Sequence, residues 1–172
     1  PVSFTIVLNT RKLQQKRLTA KKNKMKILIA NQQKSIKINR RKIRSSMIRL
    51  MKATNCSGRE ISISIVDDTT IQTLNREYLK RDKPTNVISF SLQEGEYGGV
   101  NADVLGDIVI SAETAARDAV KGGLTFEEEI IFLLVHGFLH LIGYNHENTS
   151  RANVARMKQK EKELFHLLTC SA

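Results

Sequence analysis

The sequence predicts an α/β (α+β-like) fold: a small, mixed, partly parallel sheet covered by helices, with one helix buried at its centre. Three observations carry this reading. Stretches with strand and helix spacing alternate in the order β-α-β-α-β-β-α-α-α, which requires at least one parallel strand pair and helices laid over the sheet. A length of 172 residues suits one domain with a single core. From Ile130 to Ile142 almost every residue is apolar, apart from His136, Gly137 and His140. A helix that is apolar nearly all round is a buried one.

Residues 1–24 hold seven basic residues and no acidic one. They are expected to be a poorly ordered basic extension, either a leader from an upstream start codon or a tail, ahead of a single domain over residues 25–172. Met25–Asn31 has the look of a natural start and a first strand. In the span 34–54, Ile43, Met47, Leu50 and Met51 have helical spacing among arginines and lysines, which predicts an amphipathic helix with a basic outer face. Residues 55–58 break it. Glu60–Val66 alternates Ile61, Ile63 and Ile65 with Ser62 and Ser64, a strand with one buried face.

Asp67 or Asp68 then caps a helix running to Tyr78. A charged connection ending in Pro84 leads to Asn86–Phe90, uncharged and suited to an interior strand. Residues 92–101, with Gly95, Gly98 and Gly99, read as a flexible loop between strands. Val104–Ile110 is the next strand, Ser111 caps a helix over 112–120, and Gly122-Gly123 stops it. Thr125 with Glu128 forms a capping box that starts the buried helix, and Gly143 ends it. A last helix begins at Thr149 or Ser150, with Val154, Met157, Leu164 and Leu168 as its apolar seam.

The chemistry concentrates on the buried helix. His136 and His140, four apart, share one helical face. Two imidazoles in an apolar segment are costly to bury unless something satisfies both. His146 follows six residues later, beyond the Gly143 turn, where the chain can fold back toward that face. Three of the four histidines thus fall within eleven residues. Three neutral imidazoles with one open position are the pattern of a catalytic zinc site, so this is read as a metal-binding helix. His166 has no histidine partner at ligand spacing and is read as structural or exposed. The spacing matches that of metzincin proteases, yet the Glu that serves them as general base is replaced here by Gly137, which argues against peptide hydrolysis.

Charge sets the class of substrate. Residues 1–59 hold 17 Lys and Arg and no acidic residue, whereas residues 60–172 hold 11 basic and 17 acidic. A basic front half implies a polyanionic partner, nucleic acid first, and favours a phosphodiester over an amide as the bond to be cleaved. Cys56 and Cys170 lack metal or disulfide spacing and read as free thiols. No apolar run is long enough to span a membrane, and the first residues lack the order of a secretory signal, so a cytoplasmic protein is expected.

The segment from His136 to His146, HGFLHLIGYNH, resembles the HGxLHLxGYDH signature of the YbeY family of bacterial metal-dependent endoribonucleases. Asp82–Phe90 (DKPTNVISF) and Leu105–Ile108 (LGDI) match that family too, and the resemblance runs from about Met25 to the C-terminus. It implies a zinc-dependent endoribonuclease specific for single-stranded RNA, acting on the ribosome's 16S rRNA precursor in 3′-end maturation and in ribosome quality control. Three features depart from the family. Asn145 stands where the family has Asp beside the third histidine, which removes a charge near the metal. Leu79 occupies the position of the family's arginine, and Arg81 is the candidate substitute, since guanidinium pairs well with phosphate oxygens. The third departure is the segment before Met25. The alternatives are a non-catalytic, metal-containing ribosome-assembly factor and a metallo-hydrolase of another bond with Glu129 or Glu147 as its base.

Overall fold

A computed structural model describes residues 25–92, 103–144 and 149–170. Four strands form one sheet in the order β1-β2-β4-β3: β1 (Lys26–Asn31), β2 (Glu60–Val66), β3 (Val87–Ser91) and β4 (Val104–Ser111). The β1–β2 and β2–β4 pairs are parallel and β3 runs antiparallel to β4. Five helices complete the described chain: α1 (Arg40–Ala53), α2 (Asp68–Leu79), α3 (Ala112–Gly122), α4 (Phe126–Leu141) and α5 (Arg151–Thr169). The element order and the mixed sheet agree with the sequence pattern.

Local chemistry sets the helix ends. Asn39, Asp67, Ser111, Thr125 and Ser150 each accept a backbone N–H of the first helical turn through the side chain. The capping box of α4 is complete, with Thr125 and Glu128 each bonding the other's backbone N–H. Gly123 and Gly143 take positive φ just beyond α3 and α4, where a side chain would be strained. Arg49 of α1 donates to the carbonyls of Leu167 and Leu168, tying the end of α5 to α1.

Helices lie on both faces of the sheet. Ile61, Ile63, Ile65, Ile108 and Ile110 pack with Met47, Leu50, Leu134 and Phe138 in the main core, beneath α1, α4 and α5. The alternating residues Val66, Ile88 and Val109 pack with Ile71 and Leu74 of α2 in a second, smaller cluster. This corrects two expectations. Residues 61–66 of β2 are all buried, Ser62 and Ser64 included, because β2 is an interior strand of a sheet covered on both sides. The Asn86–Phe90 segment is the sheet's edge rather than an interior strand, and only Ile88 of β3 is fully buried. One side of β3 lines the cleft described below. The expected loop over 92–101 and the basic segment 1–24 fall outside the described residues, apart from Leu92, whose N–H bonds the Leu105 carbonyl at 3.1 Å.

Two glycines allow close approaches near the site. Gly106 has φ +142°, and a Cβ there would sit 2.1 Å from the Phe90 carbonyl oxygen. At Gly137 a Cβ would lie 2.9 Å from Ser89 Oγ and 3.1 Å from Ile108 Cγ2. The α4 backbone therefore rests directly on the β3–β4 hairpin, where Ser89 Oγ donates to the Gly137 carbonyl at 3.1 Å.

Candidate active site

His136 and His140 lie on successive turns of α4, and the helical spacing brings their Nε2 atoms to 3.2 Å. Two nitrogens each about 2.0–2.1 Å from one tetrahedral zinc ion stand about 3.3–3.4 Å apart, so this pair fits a shared metal ion. The third sequence candidate, His146, lies outside the described residues, as do Asn145 and Glu147. Among the described residues no further His, Cys, Asp or Glu completes a three-ligand cluster.

Sequence reasoning missed a fourth residue. Glu161 of α5 places Oε1 2.7 Å from His136 Nδ1, with both side chains largely withdrawn from solvent. A carboxylate only accepts, so Nδ1–H is the donor and Nε2 is the nitrogen turned toward His140. This is the carboxylate–histidine arrangement that orients a metal-ligating imidazole and raises its basicity. The helix pairing explains it. Phe132 meets Phe165 edge-on at 5.9 Å, and four residues further along α4 His136 meets Glu161, four residues back along α5. That is the register of two antiparallel helices. A helical i, i+4 pair of Glu161 and Phe165 is the only trace of this contact in the sequence, and it does not name its partner.

The imidazoles open onto a cleft of about 690 Å³ shared with Leu79, Arg81, Lys83, Asn86, Ser89 and Phe90. The turn after α2 delivers the two cations. Lys80 adopts a left-handed conformation (φ 58°), and both its N–H and that of Arg81 bond to the Asn75 carbonyl. Buried Asn75 also donates Nδ2 to the Lys83 carbonyl at 2.7 Å, so the segment folds back toward the cleft. Leu79 and Arg81 consequently line the same cleft, with Leu79 48% exposed. Phe90 forms an edge-to-face pair with Tyr78 at 5.0 Å and gives the cleft an aromatic wall.

The remaining candidates lie elsewhere. Glu129 is 6% exposed and does not line the cleft. Burial, and then the nearby Asp118 charge, push its carboxyl above the usual range. His166 is exposed on α5, and Cys56 and Cys170 are both free thiols.

An α/β protein with paired imidazoles at the floor of a polar, partly cationic cleft is thus defined by its fold and site. The family model described as Endoribonuclease YbeY matches residues 12–169, and so reaches into the basic segment before Met25. The chain is 54% identical over 144 residues to an endoribonuclease YbeY from Syntrophus aciditrophicus, covering 84% of this chain and 90% of that one. Identity to the Geobacter metallireducens endoribonuclease YbeY is 46% over 144 residues, with 84% and 96% covered. The fold is similar to the solution structure of a Thermotoga maritima protein, with TM-score 0.57, 26% identity, and 83% and 88% of the two chains covered. This chain belongs to the YbeY endoribonuclease family. Among the described residues no helix is long and apolar enough to cross a membrane.

Proposed function

We propose that this chain is a zinc-dependent endoribonuclease for single-stranded RNA. In this reading it acts in the cytoplasm on the 16S rRNA precursor, in 3′-end maturation and ribosome quality control. The observation that carries the metal reading is the 3.2 Å approach of the His136 and His140 Nε2 atoms, with His136 held from behind by Glu161. His136, His140 and His146 would hold the ion. When bound, it supplies Lewis acidity toward a phosphoryl oxygen and toward water.

The chain's own residues do the rest. Arg81 and Lys83 face the cleft with positive charge and fit a phosphodiester backbone, and Arg81 takes the place left by Leu79. Asn86 and Ser89 offer neutral polar groups along β3. Phe90 offers a ring to an unpaired base, which an intact duplex keeps stacked within itself, and this supports the single-strand preference. Gly137 leaves no room for a protease-type base beside His136, and Glu129 is buried and does not line the cleft.

The test is cleavage of a single-stranded RNA bearing the 16S 3′ end. Wild type should cleave it, and both His140→Ala and chelator-treated protein should not. Metal-loaded wild type that binds this RNA without cutting it would overturn the proposal in favour of a non-catalytic assembly factor.

A further inference from the structure

A second cationic surface lies away from the cleft. Lys34, Lys37, Arg40, Arg41, Lys42 and Arg44 are all exposed, spread over the β1–α1 connection and the start of α1. None of the six forms an ion pair among the described residues. Lys37, Arg40, Arg41 and Lys42 line an open groove of about 1060 Å³, where Glu127 is the one carboxylate among the described residues. Glu127 is itself engaged, accepting from Asn39 Nδ2 at 3.0 Å.

Arg40, Arg41 and Lys42 do not stabilise the start of α1. The first turn of α1 contains no acidic residue and begins with three cations in a row, the reverse of what the helix dipole favours. Its end is already capped, since Asn39 Oδ1 accepts from the Lys42 N–H at 3.1 Å. Mutually repelling, unneutralised cations beside an open groove match a polyanion from outside the chain.

Position separates this surface from the chemistry. Glu127 sits in the first turn of α4, whereas His136 and His140 sit toward its end. At 1.5 Å and 100° per residue they are about 14–20 Å further along the axis and about 180–220° around it. A short strand in the cleft therefore does not reach the groove. We propose that the Lys34–Arg44 surface is a second RNA contact, gripping the phosphate backbone of a larger structured RNA while an unpaired strand of the same molecule occupies the cleft. The inference rests on the RNA substrate proposed above.

The test is Arg40→Gln/Arg41→Gln/Lys42→Gln in the full chain, with Lys37→Gln/Arg44→Gln as a second variant outside that run. Binding of a long transcript carrying the 16S 3′ region is measured against salt, and cleavage is measured on that transcript and on a short single-stranded oligonucleotide. Losing three phosphate contacts should make the slope of log affinity against log salt shallower by about 2–3. KM for the transcript should rise on the order of tenfold. Cleavage of the oligonucleotide should be unchanged, and the melting temperature should stay level or rise. Unchanged salt dependence in both variants would overturn the inference and give the surface to an acidic protein partner. An equal loss on the short oligonucleotide would also overturn it, by making the surface part of the cleft's own path. Wild type failing to cut the oligonucleotide would instead count against the proposed function, because the salt slope reads the surface independently of cleavage.

Discussion

Gly137→Ala sets two familiar effects against each other. Alanine is favoured over glycine inside a helix by about 0.8–1.0 kcal/mol. Its methyl group, however, would arrive 2.9 Å from Ser89 Oγ and 3.1 Å from Ile108 Cγ2. Ile108 is fully buried on the interior strand β4, so it has nowhere to move. Ser89 can turn away only by releasing its 3.1 Å bond to the Gly137 carbonyl, a loss of about 1 kcal/mol. Overpacking a tight core costs about 1–3 kcal/mol. The steric cost wins, and the net destabilisation should be about 1–3 kcal/mol. For a domain of this size that lowers the melting temperature by about 2–12 °C, read by thermal or denaturant unfolding. A Gly137→Ala protein as stable as wild type, or more so, would refute the close packing of α4 on the hairpin that sets the height of the two imidazoles.

Other predictions follow from single contacts. Glu161→Gln removes the charge behind His136 and should weaken zinc affinity about 10–100-fold in a chelator competition, with the fold intact. Arg81→Gln should lower kcat/KM on single-stranded RNA about 10–100-fold, and adding Leu79→Arg should restore part of it. Glu129→Gln should raise stability at neutral pH. The folded-state carboxyl is raised by burial, then by Asp118, so wild-type stability falls as pH rises from about 4.3 through the raised value. The melting temperatures of Glu129→Gln and wild type should accordingly converge toward acid pH and separate above that window.

Much of this was legible in the chain itself, for reasons that are local. The capping box at Thr125 and Glu128, the caps at Asp67 and Ser111, and the glycine stops at 123 and 143 act over a few residues, and the structure contains each of them. The His136–His140 pair follows from helical periodicity alone. What could not be read depends on residues distant in the chain. Alternation in β2 says which residues share a face but not that both faces are covered, and the edge position of β3 is decided by the pairing of β4 with β2. Glu161 looks like any polar position of an amphipathic helix until the antiparallel register of α4 and α5 brings it to His136. Gly137 reads as a missing base in the sequence, and the hairpin beneath it supplies the steric reason.

The central claim is that His136, His140 and His146 together hold one catalytic metal ion. Zinc-edge X-ray absorption on the reconstituted protein tests it most directly. Three imidazole nitrogens at about 2.0–2.1 Å with one further light-atom ligand are expected, with that signal disrupted in His136→Ala, His140→Ala and His146→Ala alike. A sulfur shell at about 2.3 Å, or a spectrum unaltered by these substitutions, would contradict it.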